Sequence, residues 1–263
     1  MQEQKLFGRR DGAVGHLVFN NPAKLNAVSL DMWASFASIL KEFDADPEIR
    51  CLVVSGAGGK AFVSGADISK FESERANAEA QVRYDAISKE GYESLYNFSK
   101  PTIAKINGYC IGGGMNLAAC CDLRYCTEGA RFGVPAARLG LGYGFLRIER
   151  FSRIVGLPRA MEFLFTAKQY SSKEAHDMGL VHGVAASDAD LDTMIEGITG
   201  AIAQNAPLTI ALAKAAAREI AKPESKQNHK KLEKMAEACF DSDDFKEGRR
   251  AFMEKRKPMF KGR

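Results

Sequence analysis

The sequence lacks the features that mark membrane, secreted and metal-binding proteins. It has no run of about 18 apolar residues, the length that a transmembrane helix needs, and its polar start, residues 1–10, has no apolar secretory core. None of its six cysteines belongs to a C-x-x-C pair, and its four histidines do not have the spacing of metal ligands. We therefore expect a cytoplasmic protein with reduced, buried thiols, no metal site and no membrane association.

Neither sign of charge dominates the sequence. Its 37 Lys and Arg residues and 33 Asp and Glu residues leave a formal net charge of +4, which is too small to predict nucleic-acid binding. The positive charge is unevenly spread, and the segment 249–263 is strongly basic. That segment is either a solvated helix end and tail or a contact to an anionic ligand or a neighbouring subunit.

Strand and helix patterns alternate along a chain whose 263 residues, 46% of them hydrophobic, can bury a substantial core. Short apolar strands are predicted over Val14–Phe19, Ile49–Val54 and Pro101–Ile106, and a last one over Gly179–Val184. C-terminal helices are predicted over Leu191–Gln204, Pro207–Ala221, Glu224–Ala238 and Asp243–Lys255. The patterns predict an α/β core over residues 1–190 and a helical region over residues 191–263.

Two glycine-rich segments are candidates for ligand binding. Gly56–Ala61 fits the dinucleotide pattern G-x-G-x-x-A, but the chain continues in extended form, and a dinucleotide fold would need a helix there. It is not a P-loop, because Lys60 is followed by alanine. Asn107–Asn116 instead runs from a strand through three glycines into a helix. The free N–H groups of a first helical turn can bind a negative oxygen, although these glycines would also suit a turn packed tightly for space.

The two segments are part of a wider set of motifs. Ser64–Ile68 reads S-G-A-D-I, and Asn107–Gly114 reads N-G-Y-x-x-G-G-G. Further motifs lie at Pro22–Ala27, Arg131–Pro135, Phe245–Gly248 and Phe252–Phe260. Together these motifs cover nearly the whole chain, and they resemble the crotonase, or enoyl-CoA hydratase/isomerase, superfamily.

The resemblance implies a crotonase-like spiral of ββα turns, with C-terminal helices that assemble a homotrimer or a dimer of trimers. It implies an acyl-CoA substrate of fatty acid metabolism and no separate cofactor, since CoA is part of that substrate. The backbone N–H groups of Ala66 and Gly113 would form an oxyanion hole for the thioester enolate. The substrate-binding residues that it implies are Lys24, Asn26, Ala27, Gly65, Ala66, Asp67, Ile68, Gly112, Gly113 and Phe260.

The sequence departs from the superfamily at its proton-transfer positions. Hydratases carry glutamates at the positions of Asn116 and Ala136, and dienoyl isomerases carry a further aspartate at the position of Gly144. Asn116 could still orient a water molecule, but an alanine could not. Efficient hydration by the usual mechanism is therefore not expected.

A tyrosine suggests a different reaction. Tyr143 occupies a loop position at which decarboxylase-like members carry a tyrosine, and Arg138 could pair with a substrate carboxylate. Those members also carry a histidine at the position of Ala66, and the alternative is that Tyr143 fills space and Arg138 is a surface residue. Three functions stay open: a hydratase-type lyase with an altered site, a malonyl-type acyl-CoA decarboxylase, and a non-catalytic member that binds CoA esters or RNA.

Overall fold

Two β-sheets frame the structure. The computed structural model describes residues 4–70 and 77–263. The strands are, in chain order, β1 (Leu6–Asp11), β2 (Val14–Phe19), β3 (Cys51–Gly56), β4 (Ala61–Val63), β5 (Thr102–Ile106), β6 (Tyr109–Ile111), β7 (Leu123–Thr127), β8 (Arg131–Gly133), β9 (Gln169–Ser171) and β10 (Gly183–Ala185). Within the described residues, the larger sheet has the order β1-β2-β3-β5-β7-β10 and the smaller one the order β4-β6-β8-β9. Neighbouring strands are parallel, apart from the antiparallel pairs β1 with β2 and β8 with β9.

Helices follow the strands in a repeating order. They are α1 (Leu30–Ala45), α2 (Ala78–Tyr96), α3 (Gly113–Cys120), α4 (Phe145–Val155), α5 (Leu157–Thr166), α6 (Ser172–Asp177), α7 (Asp188–Gln204), α8 (Pro207–Ile220), α9 (His229–Asp241) and α10 (Asp243–Met253). The chain visits the larger sheet, then the smaller sheet, then a helix: β3, β4 and α2, followed by β5, β6 and α3. The ββα spiral that the sequence analysis predicts is thereby confirmed.

The core lies where these turns stack. The unbroken apolar run of β3 predicts burial on both faces, and its Leu52, Val53 and Val54 are almost wholly buried. Apolar side chains at helical spacing on α1 are buried as well, and the ring centres of Trp33 on α1 and Tyr92 on α2 are 4.6 Å apart. This contact fixes the position of α2, which forms one wall of the site described below.

Some elements differ from the sequence-based expectations. Strand β1 and helix α2 are not predicted, because both are rich in exposed polar residues and lack a strong apolar period. The helix expected from residue 224 begins at His229. Glu224–Lys226 forms a separate 3-10 turn, and the Asn228 side chain then caps α9 by accepting a hydrogen bond from the N–H of Lys231 (3.0 Å).

The C-terminal helices are only partly separate from the core. The predicted boundary between residues 190 and 191 falls inside α7, whose Leu191 and Ile195 are buried with residues of the larger sheet. On α9 and α10, by contrast, Phe240 and Phe252 are 65% and 82% exposed, which is apolar surface of the kind that subunit contacts bury. The division into two regions and the trimeric assembly stay predictions. Within the described ranges, no helix has the length and apolarity to cross a membrane.

Candidate active site

Two loops meet where β4 and β6 end. Val28 donates a hydrogen bond to the carbonyl of Gly65 (2.8 Å) and accepts one from the N–H of Asp67 (3.0 Å). Because successive groups of an extended backbone face opposite sides, the N–H of Ala66 lies on the side away from Val28. Gly113 is the first residue of α3, so its N–H has no acceptor within the helix. Among the described residues, neither N–H has a hydrogen-bond acceptor.

Glycines allow these loops to touch. Gly65 has a φ of +116°, and a Cβ placed on it would lie 3.8 Å from the nitrogen of Gly113. A Cβ on Gly114 would lie 2.0 Å from the carbonyl oxygen of Val63 in β4, so only glycine fits there. The two roles that the sequence allows for these glycines therefore occur together. The glycines let the turn pack tightly, and they leave the first N–H of α3 free.

A cavity of about 430 Å³ lies beside this junction. Six residues of the sequence-based site line it: Gly65, Ala66, Gly112, Gly113, Ala136 and Tyr143. The facing wall comes from α2 and from α4 with the segment before it. Its polar and aromatic residues are Gln81, Tyr84, Asp85, Ser88, Tyr92, Tyr143 and Arg147.

Two tyrosines and an arginine meet deep in this wall. The Cζ atom of Arg147 lies 5.4 Å from the ring centre of Tyr92 and 5.8 Å from that of Tyr143. The Tyr92 hydroxyl donates a long hydrogen bond to the carbonyl of Gly113 (3.4 Å). Burial raises the pKa of both phenols above the ordinary tyrosine value, although the Arg147 charge opposes that rise. Both phenols are therefore neutral and can donate a proton in a hydrogen bond at neutral pH.

Asn116 does not reach the cavity wall. It is 2% exposed, and neither atom of its amide has a hydrogen-bond partner of normal geometry in the described part of the chain. The amide nevertheless lies close enough to the Tyr92 hydroxyl to oppose the rise in the pKa of that phenol. Ala136 does line the cavity, in the 3-10 helix Pro135–Leu139, but its methyl group cannot transfer a proton. Arg138 of the same 3-10 helix is exposed and is not among the lining residues.

A polar cluster lies on the loop that leads into the junction. The Lys24 ammonium donates to the Asp67 carboxylate (2.9 Å) and to the Ser69 hydroxyl (2.6 Å). Burial opposes ionisation of Asp67, but the hydrogen bonds from Ser69 and Lys24 outweigh it and lower the pKa of the carboxyl. The Lys24 side chain is half exposed, so an anionic ligand could reach its ammonium beside the bound Asp67 carboxylate.

The Asn26 side chain points into the protein. Asn26 has no exposed surface; its Oδ1 accepts from the N–H of Asn21 (2.9 Å), and its Nδ2 donates to the carbonyls of Ala57 (3.0 Å) and Ala61 (2.7 Å). Its conformation has a φ of +56°, which these bonds stabilise. This corrects the sequence-based interpretation, since Asn26 holds the loop together and does not face a ligand.

Phe260 also lies away from the cavity of its own chain. Its ring packs against Gly248 of α10, and its carbonyl accepts from Arg50 (3.4 Å). The next residues are held as well, because the buried Asp244 carboxylate accepts from the N–H groups of Lys261 (2.6 Å) and Gly262 (2.7 Å). A contact of Phe260 with substrate therefore requires a neighbouring subunit and stays a prediction.

Comparison with known proteins identifies the family. The family model described as enoyl-CoA hydratase/isomerase matches residues 9–263. The chain belongs to the enoyl-CoA hydratase/isomerase family. It is 35% identical over 260 residues to a peroxisomal Δ(3,5)-Δ(2,4)-dienoyl-CoA isomerase of Arabidopsis thaliana, covering 95% of this chain and 93% of the relative. It is 32% identical to a short-chain-enoyl-CoA hydratase of Clostridium acetobutylicum, covering 98% and 97% of the two chains.

Solved structures confirm the crotonase-like fold of this hydratase/isomerase family member. The crystal structure of an enoyl-CoA hydratase/carnitine racemase from Magnetospirillum magneticum has a TM-score of 0.94 and 32% identity, and the match covers 100% of this chain and 97% of the other. An enoyl-CoA hydratase from Bacillus anthracis has a TM-score of 0.91 and 30% identity, with 99% and 100% covered. The family assignment made from the loop motifs is confirmed.

The sequence motifs of this family member do not predict the α2 wall or Arg147. The lining residues of α2 recur at positions 81, 84, 85, 88 and 92, which is the spacing of one helical face. A mixed face of Gln, Tyr, Asp, Ser and Tyr gives little apolar period, so only a search for polar periodicity would have found it. Among the described residues, no group of three or more His, Cys, Asp or Glu side chains could hold a metal ion.

Proposed function

We propose that the protein is an acyl-CoA enzyme that stabilises the enolate form of a thioester on the backbone N–H groups of Ala66 and Gly113. The observation that carries this proposal is the pair of N–H groups without acceptors on the wall of one cavity. A thioester enolate carries negative charge on oxygen, and each preorganised donor in such a site lowers the barrier by about 3–4 kcal/mol. The Lys24–Asp67–Ser69 cluster would lie near the nucleotide end of CoA, which is anionic.

Proton transfer in this enzyme differs from that of glutamate-bearing hydratases. The glutamate positions implied by the resemblance hold Asn116, which is buried behind the wall, and Ala136, which has no acidic group. Each such acid or base contributes about 10²–10⁴-fold to rate. We therefore propose an enolate-forming hydratase or isomerase in which syn-hydration of a simple enoyl-CoA is slow.

Exchange of the α-protons of butyryl-CoA in D₂O, followed by NMR, tests enolate formation without depending on the later steps. The α-proton would pass to water in the cavity, because neither glutamate position holds a base. Gly113→Pro removes the donor and puts a ring carbon where the hydrogen was, while proline is tolerated at the first position of a helix. Gly113→Ala is the matched control, because it places a Cβ in the same contact with the Tyr92 hydroxyl (3.1 Å) but keeps the N–H. We expect exchange to fall by about 10²–10³-fold in Gly113→Pro and much less in Gly113→Ala. Equal rates in the two variants would contradict the role of this N–H.

Decarboxylation is a second candidate, favoured by the position of Tyr143 on a cavity wall without a carboxylate at the glutamate positions. The bond between the α-carbon and the carboxylate of a malonyl-type thioester would break. Its electron pair would pass into the enolate, carbon dioxide would leave, and the α-carbon would take up one proton. Release of carbon dioxide from methylmalonyl-CoA, reduced by Tyr143→Phe, would support this reaction over hydration.

Separate measurements test the proposed slow hydration, the binding of acyl-CoA and the subunit number. Turnover of crotonyl-CoA at the rate of a glutamate-bearing relative would contradict the slow hydration proposed here. Failure of every acyl-CoA to raise the thermal midpoint would instead favour a non-catalytic role. A trimer or dimer of trimers is proposed from the resemblance, and a cytoplasmic location from the reduced thiols that the sequence predicts. Light scattering of the purified chain measures the subunit number.

A further inference from the structure

A charge on the cavity wall, unpaired within the described residues, indicates which class of acyl group the substrate carries. We propose that Arg147 binds a carboxylate on the acyl part of the substrate, so that the enzyme acts on acyl-CoA esters with a second acidic group. This inference rests on the proposed function, because it assumes that an acyl-CoA occupies the cavity. It names Arg147 in place of Arg138, the arginine that the sequence suggested.

Arg147 differs from the other arginines of α4. Arg150 pairs with Glu93 (2.5 Å), and Arg153 pairs with Glu149 (3.0 Å). Arg147 is half-buried, yet in the described residues no carboxylate lies within salt-bridge distance of it and no oxygen accepts a hydrogen bond from its guanidinium. Withdrawing a charge from water without a partner is costly, so a bound anion would supply what the protein does not.

The surroundings of Arg147 leave its hydrogen-bonding edge free. Its guanidinium lies over the rings of Tyr92 and Tyr143, which stabilise a cation through their faces but accept no strong hydrogen bond. A guanidinium stacked in this way can still present its planar fork of N–H groups to a carboxylate, a bidentate pairing that lysine cannot reproduce.

Tyr92 places this arginine close to the reacting carbons. The hydroxyl of Tyr92 contacts Gly113, whose N–H is proposed to bind the thioester oxygen, and the ring of the same residue lies under Arg147. The proposed carboxylate at Arg147 and the proposed thioester oxygen at Gly113 would thus both lie beside the Tyr92 side chain, which favours a short acyl group between them. A malonyl- or succinyl-type acyl group meets this requirement, whereas a long unbranched chain ending in methyl does not.

The other charged residue on this wall, Asp85, lies away from the proposed carboxylate site. Asp85 is exposed, and its carboxylate accepts from Gln81 on the same helix (2.9 Å). It precedes Tyr92 by two helical turns, which is about 10 Å along α2. Its repulsion therefore falls on a part of the ligand remote from the carboxylate at Arg147.

Binding of two matched ligands tests the inference. The chain has one tryptophan, Trp33, and it lines the cavity, so its fluorescence reports ligand binding. Succinyl-CoA and butyryl-CoA both carry four acyl carbons and differ mainly in the terminal carboxylate. We expect the wild-type protein to bind succinyl-CoA about tenfold or more tightly than butyryl-CoA.

Variants then assign the preference to a residue. Arg147→Gln should lower the affinity for succinyl-CoA about tenfold or more relative to any change for butyryl-CoA, and so remove the preference, while Arg147→Lys should keep part of it. Arg153→Gln, on the same helix, and Arg138→Gln should keep the whole preference. Equal affinities in the wild type, or an equal loss of both ligands in Arg147→Gln, would overturn the inference but leave the proposed function intact. If neither ester binds, the proposed function fails and this inference fails with it.

Discussion

One side of the cavity is made of backbone and the other side of side chains. Ala66 and Gly113 contribute N–H groups from two loops that tight glycine turns hold together. Tyr92, Tyr143 and Arg147 contribute rings and a charge from two helices and a loop. Backbone donors would suit the proposed chemistry, in which an oxygen gains negative charge, whereas side chains can change without disturbing that function. The difference suggests that the first side sets the type of chemistry and the second sets the substrate.

If the backbone side is rigid by construction, one added methyl group should disrupt it. Gly114→Ala would place a Cβ 2.0 Å from the Val63 carbonyl, a contact that only a shift of α3 or β4 can relieve. We expect the free energy of unfolding to fall by at least about 3 kcal/mol, with loss of α-proton exchange. Gly129→Ala is the control, because a Cβ there meets nothing within 4 Å. Urea unfolding of both variants measures the difference, and a wild-type midpoint for Gly114→Ala would show that the junction is adaptable.

Hydrogen bonds from a buried arginine also stabilise the helix that carries the backbone side. Arg124 is 5% exposed and donates to the carbonyls of Leu180 (2.7 Å), Ala118 (3.2 Å) and Cys121 (2.7 Å), the last two at the C-terminal end of α3. Its charge stabilises the helix whose first N–H belongs to Gly113.

Arg124→Met should therefore lower the free energy of unfolding by about 3 kcal/mol, since buried carbonyls would lose their donors. Arg131→Met is the matched control, because the exposed Arg131 also donates to backbone carbonyls, those of Gly129 and Ala130, but at the surface. If the two variants were equally stable by urea unfolding, burial would not be what makes Arg124 important.

The same contrast explains what the sequence could predict. The loop motifs around Ala66 and Gly113 are each contiguous in the sequence, so pattern alone locates them, although the contacts that require their glycines join distant segments. The Arg147 site depends on Tyr92, which is far from it in sequence and reaches it only because α2 packs on α1 through Trp33. At Asn26 the motif predicts a role that the structure does not support. Its place in a family motif suggested ligand contact, whereas its buried hydrogen bonds show a loop-stabilising role.

The ion pair beside the backbone side should respond to pH in a defined direction. The folded-state pKa of Asp67 is lowered, so its stabilising effect is full above the ordinary value of about 3.9 and is lost as the pH falls through the folded value. Asp67→Asn should cost about 1 kcal/mol at pH 7 and progressively less below pH 4. Unfolding free energies of both proteins between pH 7 and pH 3 measure this, with the exposed Asp241→Asn as control. A difference that grows on acidification would contradict the direction of the shift.

The smallest effect is expected at Asn116, which follows the backbone side in sequence but is not among the residues that line the cavity. Because its amide is buried without partners of normal geometry in the described residues, Asn116→Leu should raise the free energy of unfolding by up to about 1 kcal/mol and leave α-proton exchange unchanged. Asn116→Asp has the shape of the wild-type side chain but adds a buried charge, and it should be destabilising at pH 7. Thermal unfolding and NMR exchange measure both effects. If Asn116→Leu instead lost stability and exchange together, the amide would have a partner in the reaction, and the side-chain wall would extend onto α3.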